Sequence, residues 1–466
     1  MSQRRETALY AGIIVGFLVL IAGIMRFGAR LETAAVKAAT ASSGTAWADF
    51  VAALRHGWQS PLALLLAQIV AILLAARGLG ALCRNIGQPA VVGEMAAGIL
   101  LGPSLLGRYF PGFSAWLFPP ASLDNIRFLS QIGLILFMFV VGMELDLRAL
   151  RGKARQAVVI SHASIALPFA LGLGLAYFLY GSFAPAGVRF ASFGLFLGTA
   201  MSITAFPVLV RIVRDRGQHR TPLGTLVITC AAADDVTAWC ILAAVVALVK
   251  AGSPGSAGLL LLLALAYVLL MVRVVRPLLA RIGGVRPASG RPRAAALPVF
   301  FLTLILSAFA AEAIGIHALF GAFLAGAIMP TDGQLREFVS SKVQDVAVVL
   351  LLPLFFVFTG LRTEIGLLNS GYLWGVCGLI IVVAVTGKLL GSALAARFVG
   401  HGWPDSLRIG ALMNTRGLME IVVLNIGYDL GILTPPIFAM MVVMALATTC
   451  MTGPALNLID RRYPSS

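Results

Sequence analysis

Residues 223–249 read LGTLVITCAAADDVTAWCILAAVVALV, a stretch long and apolar enough to cross a lipid bilayer. A transmembrane helix needs about 20 mostly apolar residues. The only two charged residues in this stretch, Asp234 and Asp235, are adjacent and lie near its middle. A single Asp at the centre of a membrane helix costs about 2.5–3.5 kcal/mol on insertion scales, so the pair indicates a functional site rather than a structural accident.

The composition of the whole chain agrees with a membrane protein. Of 466 residues, 59% are hydrophobic and only 12% are charged, whereas soluble domains carry about 25% charged residues. A water-soluble enzyme and a disordered chain are therefore excluded. The net charge of +16 does not indicate nucleic-acid binding, because the basic residues lie mainly in short segments between apolar runs, where they set membrane orientation.

The pattern of apolar runs predicts an all-α, polytopic transmembrane helical bundle. Fourteen runs can be read, which gives about 13 core helices plus one N-terminal helix; the closest pair is 297–312 and 316–330. If every run crosses, most Lys and Arg residues fall on one side, which predicts that both termini are cytoplasmic. The expected organisation is an N-terminal helix and external linker, a transmembrane domain and a short cytoplasmic tail: 1–60, 61–458 and 459–466.

The first apolar run, residues 8–26, has two interpretations. Basic residues before it and Ala39-Thr40-Ala41 after it fit a cleaved secretory signal. We favour a retained helix, because the apolar run is long and the small-residue site is distant from it.

Two pairs of segments indicate an internal duplication. Residues 92–100 resemble 320–328, with two Gly five positions apart in each, and residues 137–142 resemble 355–360. The second copy begins an odd number of spans after the first, so the copies have opposite orientations. The prediction is two inverted five-helix repeats, about 88–250 and 316–458, an arrangement typical of secondary transporters with a site near the midplane.

Further charged residues lie inside predicted spans. Adjacent helical positions point about 100° apart, so Asp234 and Asp235 cannot aim at the same place. We expect Lys388 to pair with Asp234 from a neighbouring helix, leaving Asp235 to face an aqueous cavity. Arg416 and Glu420 are four residues apart on one helix face, where they either neutralise each other or tune the site.

Two spans contain residues that favour an interruption at mid-depth. Thr199-Ala200-Met201-Ser202-Ile203-Thr204-Ala205-Phe206-Pro207 places hydroxyls before a proline, and Asn414-Thr415-Arg416-Gly417 places polar residues before a glycine. Both segments belong to the fourth helix of a repeat. Broken helices at matching repeat positions are the best sequence indication of an ion site. The candidate ion- and proton-binding residues are therefore Asp235, Asp234, Thr204 and Ser202, and Lys388, Arg416, Glu420, Asn414 and Thr415 are expected to tune the site.

These motifs together resemble the monovalent cation:proton antiporter superfamily, specifically the branch of bacterial potassium-efflux antiporters and plant-type cation/proton exchangers. The resemblance covers about residues 61–458. It implies a sodium/hydrogen exchanger-like membrane domain in a bacterial inner (plasma) membrane, with Asp235 alternately holding a proton or a cation. It also implies that Lys388 lies close to the Asp pair and that the helix at 61–76 contributes to a homodimer. Plant-type exchangers usually have Asn at the position of Asp234.

The expected activity is antiport of a monovalent cation, K⁺ or Na⁺, against protons by alternating access, which serves ion transport and pH homeostasis. A cation channel-like efflux protein and, less favoured, an organic-ion symporter remain alternatives. A membrane-embedded aspartyl hydrolase is disfavoured, because its two carboxylates must meet across a site from different helices, whereas adjacent aspartates on one helix point apart.

No phosphate-binding glycine loop, metal-ligand cluster or nucleophile triad is present in the sequence, so we expect no enzyme activity and no cofactor. The expected partners are the cation, protons, the lipid bilayer and a second copy of the chain.

Overall fold

The computed structural model describes residues 3–31, 46–58, 60–144, 154–250, 254–283, 296–330 and 333–463. Within these ranges every regular element is helical, which confirms the predicted all-α polytopic fold. Ala39-Thr40-Ala41, on which the signal-peptide interpretation depends, lies outside the described residues.

The helices of the first half of the chain end with the one that carries the Asp pair. They are α1 Gln3–Gly28, α2 Ala46–Trp58, α3 Pro61–Asn85, α4 Ala90–Leu101, α5 Leu106–Tyr109, α6 Pro111–Leu117, α7 Leu123–Glu144, α8 Ala154–Phe183, α9 Phe190–Ser202, α10 Phe206–Asp215 and α11 Pro222–Lys250.

The helices of the second half begin after a short connection. They are α12 Pro254–Leu270, α13 Arg276–Gly283, α14 Ala296–Ile314, α15 Ala318–Ala327, α16 Gly333–Asp345, α17 Leu352–Leu361, α18 Gly371–Phe398, α19 Trp403–Met413, α20 Leu418–Asp429 and α21 Pro435–Arg462. Short π-helical turns, Met271–Val275 and Val346–Leu351, lead into α13 and α17.

Twelve helical segments of the described chain are long and apolar enough to cross a membrane, and the pair α19–α20, bent by 42°, makes a thirteenth span. The predicted run at 316–330 differs, because it contains only the ten-residue helix α15. Ten helical residues measure about 15 Å, half the thickness of the hydrocarbon layer. Gly315 and His317, with φ of 99° and 80°, end the preceding helix just before α15.

Contacts divide the chain into two units, Met1–Leu64 and Leu65–Ser466. The first unit contains α1, a largely exposed apolar helix, and α2. The second unit contains almost all of α3 and every later helix, and the site described below lies entirely within it.

Two groups of helices in the second unit pack mainly among themselves. We call α4, α7, α15 and α17 the frame helices, because α4 packs on α17 and α7 packs on α15. We call α8–α11 and α18–α21 the crossing helices; among them α8 packs most extensively on α9 and α18. The two groups meet through fewer contacts, such as those between α17 and α20 and between α4 and α21.

Glycines bring the frame helices together in a reciprocal way. A Cβ added to Gly98 on α4 or to Gly360 on α17 would overlap the other helix's backbone, and the same holds for Gly142 on α7 and Gly326 on α15. Small residues allow such close helix approach. In the duplicated sequence Gly98 corresponds to Gly326 and Gly142 to Gly360. Each contact therefore joins the first helix of one repeat to the second helix of the other, as expected for inverted repeats.

Candidate functional site

The two interrupted helices cross each other deep inside the second unit. Helix α9 ends at Ser202 and α10 begins at Phe206, while α19 ends at Met413 and α20 begins at Leu418. The backbone N–H of Ala205 donates a hydrogen bond to the carbonyl oxygen of Thr415 at 2.9 Å. Non-helical backbone at membrane depth requires such protein partners or a cavity, and here each break helps to satisfy the other.

Arg416 binds the end of the opposing half-helix. Its Nη1 and Nη2 atoms donate to the carbonyl oxygens of Ala200 and Met201 at 3.0 and 2.6 Å. These carbonyls lie in the last turn of α9, where helical carbonyls lack partners and the helix dipole favours positive charge. Glu420 Oε1 lies 3.4 Å from Arg416 Nη1, and within the described part of the chain neither carboxylate oxygen of this buried residue accepts a hydrogen bond.

Close helix packing brings Lys388 to the centre of the crossing helices. Lys388 lies on α18 between two glycines that touch α8. A Cβ on Gly387 would come within 2.9 Å of Pro168 Cα, and one on Gly391 within 2.8 Å of the Ala163 carbonyl oxygen. Because α18 lies so close to α8 here, the Lys388 side chain reaches across to α11 while remaining fully buried.

Asp234 and Lys388 form the centre of a fully buried polar cluster. Lys388 Nζ lies 3.2 Å from Asp234 Oδ2, 2.9 Å from Ser164 Oγ and 2.6 Å from Thr204 Oγ1, so that all three ammonium donors have partners. The Ser164 and Thr204 hydroxyls also donate to Asp234 Oδ2, at 2.8 and 2.7 Å, and the Ser161 hydroxyl donates to Oδ1 at 2.6 Å. This arrangement contains the pairing of Lys388 with Asp234 that the sequence suggested.

Asp235 is in a different environment from its neighbour. Its side chain is only 2% exposed, and no side chain of the described residues forms a hydrogen bond with either carboxylate oxygen. The charged and dipolar groups that act on it are Asp234, Lys388 and the backbone amide of Phe206, the first residue of α10. Trp239, one helical turn further along α11, is also buried and its indole N–H likewise lacks a partner.

The other residues singled out from the sequence are all buried, but they do not all join the cluster. The Ser202 hydroxyl donates to the Thr199 carbonyl of its own helix at 2.8 Å. Asn414 Oδ1 has no hydrogen-bond partner, and the Thr415 hydroxyl lies 3.4 Å from that of Thr452. Thr204 is therefore the only one of these hydroxyls in contact with the Asp234–Lys388 pair.

Ser161 and Ser164 are the residues of the cluster that sequence reasoning missed. Both are on α8, more than 60 residues before Asp234 in the chain. Serines in apolar helices commonly bond to their own backbone, so each alone carries little information. The available signal was their spacing, because residues i and i+3 on an apolar helix present two hydroxyls on one face.

Two cavities of about 420 Å³ each adjoin the crossing helices. One is lined by residues that include Arg127 and Asp429, and the other by residues that include Arg211, Thr449 and Gly453. Thr449 donates a hydrogen bond to the carbonyl oxygen of Arg416 at 2.7 Å. The second cavity is therefore lined by a residue that bonds to the break between α19 and α20. Asp235 lines neither of these cavities, so the expectation that it faces an aqueous cavity is not met in this conformation. Among the described residues no cluster of His, Cys, Asp and Glu is suited to hold a metal ion.

Comparison with known proteins assigns the family. The family model described as "Sodium/hydrogen exchanger, transmembrane" matches residues 69–459. The chain belongs to the sodium/hydrogen exchanger family. It is 42% identical over 405 residues to the Na(+)/H(+) antiporter NhaS4 of Synechocystis, which covers 87% of this chain and 98% of that protein.

Two further relatives agree with the family assignment, and a solved structure has a similar fold. The chain is 42% identical to the Arabidopsis thaliana cation/H(+) antiporter 17 and 32% identical to the Saccharomyces cerevisiae K(+)/H(+) antiporter 1, over 84% and 87% of this chain. It spans about half the length of both proteins, 48% and 47% respectively. The fold resembles that of the sodium proton antiporter MjNhaP1 from Methanocaldococcus jannaschii, with a TM-score of 0.57, 15% identity, and coverage of 86% of this chain and 99% of that one.

Proposed function

We propose that this protein exchanges a monovalent cation, K⁺ or Na⁺, for protons across a membrane, and that Asp235 carries either the cation or the proton. Alternating access by movement of the crossing helices against the frame helices exposes Asp235 to one side at a time. The site is tuned by five further residues: Lys388, Arg416, Glu420, Asn414 and Thr415. The chain acts as a transporter rather than an enzyme.

The observation that carries this proposal is the difference between two adjacent carboxylates. Asp234 receives hydrogen bonds from three hydroxyls and the Lys388 ammonium, whereas no side chain among the described residues donates a hydrogen bond to buried Asp235. A buried carboxylate without a protein partner is costly unless it binds a proton or a cation. Proton and cation therefore compete for the same two oxygens, and this competition is the physical basis of exchange.

The family members support the reaction class but leave the ion open. The Synechocystis relative is named for Na⁺ and the yeast relative for K⁺. Carboxylate, hydroxyl and carbonyl oxygens are hard ligands that suit either ion. We therefore propose exchange of either Na⁺ or K⁺ for protons.

The proposal also includes the location and assembly of the protein. The proposed membrane is the bacterial inner membrane, with both termini in the cytoplasm. This orientation counts the short helix α15 as a fourteenth crossing, and it places most of the basic residues inside. A homodimer would use α3, on which Leu66, Val70 and Leu74 form an exposed apolar row.

The test is transport by purified protein in sealed liposomes that contain a pH-sensitive dye. Each vesicle sample is given an inward gradient of Na⁺, K⁺, Li⁺ or Rb⁺, with choline as the control for ionic strength. We expect alkalinisation of the lumen for the transported ions and none for choline. Absence of proton movement with every inorganic cation would refute the proposal.

Proton movement in the same vesicles also distinguishes an antiporter from a cation channel. A channel would pass the cation without moving protons against it, so any proton signal would come from the diffusion potential and would vanish when the membrane potential is clamped at zero. An antiporter can drive a proton gradient from a cation gradient alone.

A further inference from the structure

An ion pair joins the frame helices to the crossing helices at one face of the second unit. Arg362, directly after α17, places Nη2 2.6 Å from Asp429 Oδ1 at the end of α20. The same guanidinium donates to Asn425 Oδ1 at 3.1 Å, and Arg127 at the start of α7 lies 3.5 Å from Asp429 Oδ2. We call the contact between Arg362 and Asp429 the closed latch.

The duplication places a pair of opposite charges at the equivalent position of the other repeat. Gly360 corresponds to Gly142, so Arg362, two residues after Gly360, corresponds to Glu144, two residues after Gly142. Helix α10 corresponds to α20, and its last turn contains Arg214. The charges are reversed, because here the frame helix carries the acid and the crossing helix carries the base.

Glu144 and Arg214 interact electrostatically but do not form an ion pair. Arg214 is the charged group that acts electrostatically on Glu144, yet these two described residues form no ion pair within 4.0 Å, and both are exposed. Arg127 and Glu144 are at opposite ends of α7, about 25 Å apart for 17 helical steps. The Glu144–Arg214 pair, which we call the open latch, therefore lies at the opposite face from the closed latch.

We propose that the two latches alternate: Glu144 pairs with Arg214 in the conformation in which Arg362 and Asp429 have separated. This inference rests on the proposed exchange function and specifies how its two conformations are held. Alternating access moves one bundle of helices against the other around the site, so a contact that joins the two bundles at one face breaks when they close at the opposite face. Both latches are partly or fully exposed, which keeps each weak enough to break in every cycle.

The test uses the accessibility of a reporter cysteine rather than transport. Gln131 lines the cavity at the closed-latch face. The Gln131→Cys variant in sealed vesicles is labelled from that face with a membrane-impermeant maleimide. Labelling of the chain without this substitution gives the background from the native cysteines. Removing the closed latch with Arg362→Gln should raise the labelling rate about two- to fivefold, a shift that a partly exposed ion pair can produce in a two-state equilibrium. Removing the open latch with Glu144→Gln should lower it by a similar factor.

Two further variants make the result specific. The charge exchange Glu144→Arg with Arg214→Glu should return labelling to the parent rate, and Asp405→Asn, which breaks an ion pair within α19 alone, should leave it unchanged. The inference is overturned if Glu144→Gln has no effect or changes labelling in the same direction as Arg362→Gln. Labelling does not require transport, so failure of cation:proton exchange would be recognised separately in the dye-loaded liposomes.

Discussion

Lys388 Nζ lies 3.2 Å from Asp234 Oδ2, and neither side chain has any exposed surface. Two opposite charges buried at this depth stabilise the protein only while both are present. Removing one partner of a buried pair leaves an uncompensated charge and typically costs about 3–5 kcal/mol.

Lys388→Ala should therefore lower the thermal unfolding temperature in detergent, and Asp234→Asn in the same chain should restore part of the loss, because the second change removes the unpaired carboxylate. The measurement is a double-mutant cycle on thermal stability. If the double variant is no more stable than Lys388→Ala, the two residues are not energetically coupled.

Thr204 and Ser202, the two candidate hydroxyls at the break between α9 and α10, should differ in importance. Thr204 accepts from Lys388 and donates to Asp234, so Thr204→Val leaves buried polar atoms unsatisfied at a cost of about 1–3 kcal/mol. Ser202 bonds only to the Thr199 carbonyl, so Ser202→Ala should cost less. Thermal stability and exchange rate should both fall for Thr204→Val and be retained by Thr204→Ser. Equal effects of Thr204→Val and Ser202→Ala would contradict this assignment.

The glycine contacts between the frame helices should not tolerate a methyl group. A Cβ on Gly142 would overlap the Phe323 carbonyl oxygen, whereas one on Gly174 of α8 would meet nothing within 4 Å. Gly142→Ala should destabilise the protein by about 1–3 kcal/mol, the usual range for overpacking. Gly174→Ala is the matched control and should be neutral in the same thermal unfolding assay. A stable Gly142→Ala variant would show that α7 and α15 do not pack this closely.

Sequence patterns predicted the helical class and both interruptions, because insertion into a bilayer imposes strong local requirements on length and polarity. The carbonyl partners of Arg416 were not predictable from its spacing to Glu420. They are created by the crossing of α9 with α19–α20, which is a tertiary event. Ser161 and Ser164 were missed for the same reason, since only the approach of α8 to α18 and α11 gives their hydroxyls a charged partner. The short length of α15 depends on the turn at Gly315 and His317, which interrupts an otherwise apolar run.

We propose that Asp235 binds the proton and the cation in competition. Asp235→Asn removes the ionisable oxygen while preserving side-chain size, so the variant should fold but lose the exchange of bound proton for cation. Asp124→Asn, an exposed acid at the start of α7, is the matched control for the same chemical change.

The most direct measurement is proton release from purified, weakly buffered protein in detergent when Na⁺ or K⁺ is added, followed with a pH-sensitive dye. We expect release from the wild-type protein and from Asp124→Asn, and none from a folded Asp235→Asn variant. Release from Asp235→Asn equal to that from the wild type would show that Asp235 is not the carrier.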